Sequence, residues 1–245
     1  MRQLSSASPS GSGPRASTVT GAVFEVLQSA DPHRPRVTVY AEGGARTELS
    51  TRTLVNLSAK VAGLLTDELG ASPGDTVFVD LPPGWQTAAV LLGTWWAGLA
   101  VTDVDSADAV AAFVADGAEP GVGAADEVFV VSGHPLGAPS RQVAAHQRDF
   151  TGAVLGQADR FSAPPVGAGL PAVAGSADLT VEQVLELTTG RWQPEVRLLS
   201  TASWTLPHPG LDALVAPLLA GGSVVQVVAD AGDPAGVEKT TAVLR

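Results

Sequence analysis

Cysteine is absent from the 245-residue sequence, and this absence excludes several kinds of protein. A chain without thiols has no disulfides, no thiolate metal ligands and no cysteine nucleophile. Its fold must therefore rest on packing, and 245 residues can bury a sizeable core in one large or two small domains. A cytoplasmic setting fits this composition best.

Basic residues are also scarce. Fourteen lysines and arginines stand against 25 aspartates and glutamates, which gives a net charge of −11, and only Lys60 and Lys239 are lysines. Nucleic-acid binding needs a clustered basic face, whereas the arginines here are scattered singly. We therefore expect no nucleic-acid partner and an acidic surface that mainly confers solubility.

A membrane span is not expected either. Residues 81–102 carry no charge and are about long enough to cross a bilayer. The Pro-Pro-Gly sequence at 82–84 breaks the start of this run, and no basic flank marks a cytoplasmic side. The helical part at 85–98 is therefore expected to be a buried core helix. Residues 1–17 are rich in Ser, Gly and Pro without an apolar core, which predicts a disordered tail and not a signal peptide.

Hydrophobic periodicity predicts an α/β fold. Apolar residues recur at helical spacing over 50–69, with Ser50 as the cap and Gly70 as the stop. The strands nearby are continuously apolar, which is typical of mostly parallel sheets layered with helices. The sequence predicts strands at 76–81, 99–104 and 127–131, the helix at 85–98, and a further helix at 106–116 capped by Ser106.

A Pro- and Gly-rich stretch at 161–178 predicts a linker between two units. We expect a first α/β subdomain at 18–160 and a second, smaller α/β unit at 179–245. The second unit is predicted to contain a helix opened by a Thr180–Gln183 capping box, strands at 196–201 and 223–228, a helix at 209–220, and a last helix capped by Asp233 with Pro234 in its first turn.

Several short motifs follow one another in a characteristic order. Around the long helix the chain reads Thr47-Glu48-Leu49, Pro73-Gly74-Asp75, Leu81-Pro82, Gly84-Trp85 and Ala97-Gly98, and later Leu198-Leu199-Ser200-Thr201 and Leu206-Pro207-His208. This order resembles the front part of the adenylate-forming (AMP-binding) ligases, which include acyl-CoA synthetases and nonribosomal adenylation domains. The resemblance implies the fold of their N-terminal subdomains. Because full-length members continue well beyond the matched part, it also implies a truncated homologue, similar to a small actinobacterial group.

The family's phosphate loop reads TSGTTG-x-PKG and holds the triphosphate with amides, hydroxyls and a lysine. In this chain Ser132, Gly133 and Gly137 keep their places, both central threonines are replaced, and Ser140 stands at the lysine position. Arg141 is the nearest cation. The resemblance therefore implies a degenerate phosphate site formed by these residues, with at most weak binding of ATP or AMP and no other cofactor.

The family places its remaining catalytic parts later in the chain. These parts are the adenine-binding segment, the magnesium-binding Glu, the ribose-binding Asp and the catalytic lysine. The resemblance implies that this sequence lacks all four. Adenylation needs positioned phosphates, a divalent ion and a charge clamp together. We therefore expect no adenylation by this chain alone and assign it no catalytic residue.

Two residues are candidates for substrate binding. Trp204 and His208 lie on the segment that contributes to the acyl pocket in the resembled family, where an apolar pocket with one polar group would suit a carboxylic acid. The alternative is ordinary core packing of Trp204.

Other chemistry is not supported. Ser132 and His134 do not form a hydrolase motif, because Val130 stands where G-x-S-x-G needs glycine. The four histidines are dispersed without an i,i+4 pair, so no metal site is expected.

Three hypotheses for the function follow. The first is a catalytically degenerate ligase homologue that retains weak nucleotide or carboxylic-acid binding. The second is an interaction module that self-associates or joins another protein through an exposed apolar surface. The third is one subunit of an adenylating ligase whose active site a separate protein completes.

Overall fold

A computed structural model describes residues 18–119, 121–228 and 234–245 of the chain. The tail expected at 1–17 and the cap expected at Asp233 lie outside these residues. The α-helices are α1 (Val19–Gln28), α2 (Thr51–Gly63), α3 (Trp85–Trp96), α4 (Phe150–Leu155), α5 (Val181–Thr188), α6 (Ala216–Leu219) and α7 (Ala235–Glu238). The strands are β1 (Pro35–Tyr40), β2 (Arg46–Ser50), β3 (Thr76–Asp80), β4 (Ala100–Thr102), β5 (Ala111–Ala115), β6 (Val128–Val131), β7 (Gln147–Asp149), β8 (Pro171–Ala174), β9 (Leu179–Thr180), β10 (Arg197–Ser200), β11 (Ser223–Val227) and β12 (Ala242–Leu244).

Two mostly parallel sheets organise these elements. One sheet has five strands in the order β12-β10-β11-β1-β2, and the other has seven in the order β7-β6-β5-β3-β4-β8-β9. The pairs β1–β2 and β8–β9 are antiparallel, and the other pairings among the described strands are parallel. The α/β fold class expected from the sequence is confirmed.

Helix α2 has the ends that its sequence predicts. The Ser50 hydroxyl accepts a hydrogen bond from the Thr53 amide, which satisfies one of the free donors at the first turn. The helix continues as a π-helical turn over Leu64–Glu68, and Gly70 then takes a φ of +72°, which glycine adopts without strain. A similar π-helical turn at Leu211–Val215 precedes α6.

Helix α3 joins the two sheets. Leu91 and Leu92 of α3 belong to the hydrophobic cluster that also contains Val37 of β1 and Val101 of β4. A Cβ added at Gly93 of α3 would lie only 2.5 Å from Val61 Cβ, so glycine here allows α2 to approach closely. The buried core helix expected in this region is confirmed, and no helix in the described ranges is both long and apolar enough to cross a bilayer.

The helix predicted at 106–116 is wrong. Strand β5 occupies Ala111–Ala115 and lies between β3 and β6, with its residues almost fully buried. The run Ala-Ala-Phe-Val-Ala is apolar on both sides because both faces of the sheet are covered. Alanine favours helices, but burial in the middle of a parallel sheet outweighs that preference here.

The sheets do not follow the linear division into units at 18–160 and 179–245. Strand β8 lies within the stretch 161–178, which was expected to be a linker, and pairs with β4 in the seven-stranded sheet. Strand β1 pairs with β11 from the far end of the chain. The Pro- and Gly-rich composition marks the turns that flank β8, whereas a long-range pairing leaves no local signal.

A cluster of charges fastens α7 to the five-stranded sheet. The Glu238 carboxylate accepts hydrogen bonds from Arg46 Nε at 2.7 Å, from Tyr40 Oη at 2.6 Å, and from Arg197 Nη2. Only 6% of the Glu238 side chain is exposed. Arg46, followed by Tyr40 and Arg197, holds the pKa of Glu238 at about 2, below its ordinary 4.5.

The depressed pKa of Glu238 makes stability depend on pH. An acid with a lowered folded pKa stabilises the fold above its ordinary pKa of 4.5 and loses that contribution as the pH falls towards about 2. We expect Glu238→Gln to lower the free energy of unfolding at pH 7 by roughly 1–3 kcal/mol, measured by urea denaturation.

The difference in free energy of unfolding between wild type and Glu238→Gln should shrink steadily as the pH is lowered from 4.5 towards about 2. Glu186→Gln is the matched control, because Glu186 is exposed and forms no ion pair with any described residue. An equal loss of stability in both variants, or a stability difference independent of pH, would contradict the stabilising role of the ionised Glu238 carboxylate.

Candidate functional site

A cavity of about 410 Å³ lies outside the carboxyl ends of β3, β5 and β6, and we call it the loop cavity. The chain leaves β3 towards β4 on one side, whereas β5 and β6 continue on the other side. Ligands of open α/β sheets usually bind where the strand order reverses in this way. Its walls include Val39, Trp85, Asp116, Val131 and Ser132.

The loop that follows β6 is closed on itself by hydrogen bonds. The Ser132 hydroxyl donates to the Ala138 carbonyl at 2.6 Å and accepts from the His134 amide at 3.2 Å. The Leu136 amide donates to His134 Nδ1 at 3.1 Å, and the Gly137 amide donates to the His134 carbonyl at 2.8 Å. These amides, which a phosphate-binding loop would direct at its ligand, therefore have partners within the loop.

Neighbouring elements also hold the loop in place. Thr47 Oγ1 of β2 and Trp85 Nε1 of α3 donate to the Pro135 carbonyl at 2.8 and 3.1 Å. Gln86 Nε2, on the same helix, donates to the His134 carbonyl at 3.0 Å. Contacts from β2 and α3 thus fix the loop in its self-bonded conformation.

Carboxylates surround the position where the family has lysine. The Ser140 hydroxyl donates to Asp116 Oδ2 at 2.8 Å, and the Ser140 amide donates to Asp149 Oδ1 at 2.7 Å. Asp116 Oδ1 is buried and accepts no hydrogen bond from a described residue. Arg141 is exposed and forms no ion pair within the described part of the chain. The local charge is therefore negative where a phosphate would need a cation.

The structure brings together only some of the residues suggested by the sequence. Ser132 and Gly133 line the loop cavity, whereas Gly137 and Arg141 do not. Gly137, with a φ of +69°, packs against the Trp85 ring, where a Cβ would lie 3.2 Å from two ring carbons. The Ser132 hydroxyl donates to a carbonyl and bonds to His134 only through the backbone amide, not the imidazole ring, so the arrangement lacks a hydrolase pair.

The structure places Trp204 and His208 in different surroundings. Trp204 is buried and lines a second, larger cavity of about 580 Å³, with its Nε1 donating to Gln226 Oε1 at 3.0 Å. His208 does not line that cavity, and its Nδ1 lies 3.3 Å from Asp212 Oδ2. The two residues therefore do not form one binding site.

Sequence reasoning missed the acidic residues of both cavities. Asp116 follows β5. Because the sequence predicted a helix there, it gave no indication that Asp116 stands at the end of a strand. The larger cavity is lined by Asp80, the last residue of β3, and by Asp103 and Asp105, which follow β4. The signal was present, because polar residues at the carboxyl ends of parallel strands meet at one edge of a sheet. Within residues 18–119, 121–228 and 234–245, no group of three or more acidic or histidine side chains is placed to hold a metal ion.

The closed loop predicts a local effect of removing one hydroxyl. Ser132→Ala loses the bonds to Ala138 and His134, so we expect faster hydrogen exchange at the Leu136 and Gly137 amides. The free energy of unfolding should fall by about 1 kcal/mol. Hydrogen-exchange mass spectrometry and urea denaturation measure the two effects.

The matched control is Ser72→Ala, because the Ser72 hydroxyl makes no hydrogen bond to a described residue. Unchanged exchange in Ser132→Ala would show that the loop is not held by its internal bonds.

Comparison with known proteins agrees with this fold. No protein-family model matches the chain. An acyl-CoA synthetase from Brucella canis superposes with a TM-score of 0.71 at 17% identity, covering 84% of this chain and 42% of that one. The anthranilate CoA ligase AuaEII, solved in complex with anthranoyl-AMP, gives a TM-score of 0.71 at 13% identity, covering 86% and 45%. The chain thus spans less than half the length of these structures, and it has the fold of adenylate-forming ligases that its motifs implied.

A sequence relative gives the family. A protein of Mycobacterium tuberculosis (strain ATCC 25618 / H37Rv), described as a TIGR03089 family protein, is 38% identical over 238 residues. The match covers 92% of this chain and 95% of that protein. With this identity sustained along nearly all of both sequences, the chain belongs to the TIGR03089 family.

Proposed function

We propose that this chain is a catalytically degenerate homologue of adenylate-forming ligases, with weak nucleotide binding and no adenylation of its own. One observation carries the proposal: the amides of His134, Leu136 and Gly137 are hydrogen-bonded within the loop after β6, and Ser140 is bonded to Asp116 and Asp149. The ligase-like fold supplies the scaffold, but fold alone does not supply activity.

The charge at the loop opposes a triphosphate. Adenylation depends on cations and oriented amides that stabilise the charge of the transferring phosphates. Here a ligand phosphate near Ser140 would meet two carboxylates. Turning the loop amides outwards would also break internal hydrogen bonds, each of which contributes about 1 kcal/mol.

The loop cavity itself can still accept a small ligand. Its walls are mainly apolar, with Val39, Trp85 and Val131 facing the space beside Ser132. Such a cavity suits a flat base or another apolar group held by a few polar contacts. We therefore propose that AMP, with fewer charges, binds at least as well as ATP, and that both bind weakly.

The interaction module is the second candidate function. Leu136 at the tip of the loop is 87% exposed, and an apolar side chain there favours contact with another protein. Self-association should appear by light scattering at micromolar concentration and be weakened in Leu136→Ser. A wild-type monomer that also captures no partner would count against this function.

Measurements with nucleotides test the main proposal. Pyrophosphate exchange from ATP should stay at background with any carboxylic acid. We expect the dissociation constant for ATP to lie above about 1 mM. Addition of 1 mM ATP and Mg²⁺ should therefore raise the melting temperature by no more than roughly 1 °C. Exchange above background that disappears in Arg141→Ala would overturn the proposal.

A gain-of-charge variant sharpens this test. We expect Ser140→Lys combined with Asp116→Asn to bind tripolyphosphate about tenfold more tightly than wild type, because it replaces a carboxylate environment with a cation. The control is Ser140→Met with Asp116→Asn, which adds similar length without charge. Equal binding by the two double variants would show that charge at this position is not what limits phosphate affinity. Tight tripolyphosphate binding by the wild type would point to the ligase subunit that a partner completes.

A further inference from the structure

The larger cavity, which contains Trp204, carries a second inference. It opens at the carboxyl ends of β3, β4 and β8 and at the segment after β10, and its volume is about 580 Å³. This volume is within the range of sites that enclose small organic ligands. It shares residues 81–83 and Thr87 with the loop cavity, and its other lining residues belong to it alone.

The floor of the larger cavity is apolar and closely packed. Leu91 of α3, Val101 of β4 and Val173 of β8 are all at most 3% exposed. Trp204 is held by its hydrogen bond to Gln226, whose own Nε2 donates to the Ala202 carbonyl at 3.0 Å. A ligand would therefore meet a preformed apolar and aromatic surface.

The mouth of this cavity carries carboxylates, and the chain fixes two of them. Asp105 accepts hydrogen bonds from the Gly123 and Ala124 amides at 2.9 and 2.6 Å. Asp103 accepts from the Ser176 amide at 2.9 Å, and the Ser176 hydroxyl and amide lower the pKa of Asp103. Hydrogen bonds from backbone amides therefore hold both carboxylates in position.

Asp80 adds a third carboxylate without any compensation. Its side chain is exposed and has no hydrogen bond or ion pair to a described residue. No lysine, arginine or histidine occurs among the described residues that line the cavity. Because no basic side chain of the described lining faces the three carboxylates, their combined field favours a cation at the mouth.

We propose that the larger cavity binds an organic cation, with an ammonium group at Asp80, Asp103 and Asp105 and an apolar body against Leu91 and Trp204. This reverses the carboxylic acid that the resemblance implied for the Trp204 segment. A carboxylate ligand would place like charges together, whereas an ammonium pairs with the mouth and leaves its apolar part on the floor. A bound metal ion is the weaker alternative, since in the part of the chain that the structure describes these carboxylates do not form a metal-holding group.

Two ligands of similar size and opposite charge test the proposal. Phenethylammonium and 3-phenylpropanoate both carry a phenyl ring on a short chain, and their affinities for the wild-type protein are compared by calorimetry at neutral pH. We expect phenethylammonium to bind more tightly, with an affinity that falls as salt is added. Equal affinities, tighter binding of the carboxylate, or no binding of the ammonium would overturn the proposal.

Variants locate the binding at this cavity. Asp80→Asn should weaken phenethylammonium binding about two- to fivefold, as for a partly exposed ion pair. Asp108→Asn is the matched control, because Asp108 is an exposed aspartate nearby that does not line the cavity. Equal weakening in both variants would assign the effect to overall charge and reject the site.

A charge reversal gives an independent readout. Thr205 is an exposed residue of the lining, so Thr205→Lys should weaken phenethylammonium binding and improve binding of 3-phenylpropanoate. Thr201→Lys, at an exposed position outside the lining, should change neither affinity. An unchanged ligand preference in a folded Thr205→Lys protein, checked by its melting temperature, would overturn the proposal. Because neither residue belongs to the loop after β6, failure here leaves the proposal for that loop untouched.

Discussion

The parallel pairing of β1 with β11 is the constraint on which the rest of the molecule depends. It joins Val37 to Val224 and Tyr40 to Val227, so that the two ends of the described chain share one sheet. The hydrophobic cluster between the sheets draws on β1, β11, α1 and α3, and it could not close without this pairing. It also positions β2, from which Thr47 reaches the Pro135 carbonyl. The conformation of the loop after β6 therefore depends on residues far from it in sequence as well as on its internal hydrogen bonds.

Negative charge marks both cavities of this chain. The scaffold is retained, with two cavities at the edge where open α/β sheets bind ligands. Carboxylates line each cavity. The loop cavity has Asp116, and the larger cavity has Asp80, Asp103 and Asp105. A site built for nucleotides needs the opposite sign, because phosphates are stabilised by cations and oriented amides. One fold can thus present a different ligand preference through a few side chains at strand ends.

Local signals in the sequence predicted the elements that local physics determines. The Ser50 cap and the Thr180–Gln183 capping box were found because side chain and amide lie within one helical turn. Strand β5 was missed, since an alanine-rich run buried on both faces looks the same as a buried helix. That error also hid Asp116, because its importance comes from standing at a strand end beside Ser140.

The candidate site could be predicted only in part, because many of its contacts join residues that are far apart in the sequence. Ser132, Gly133 and the replaced lysine could be read from the order of residues, but the partners of the loop amides could not. Those partners come from the loop's own fold and from Thr47, Trp85 and Gln86, which lie far away in the sequence. The most direct test of the account is a crystal of the protein soaked with ATP and Mg²⁺. We expect no ordered triphosphate on the loop, and a triphosphate seated on the amides of Gly133 and Gly137 would contradict the proposed degenerate phosphate site.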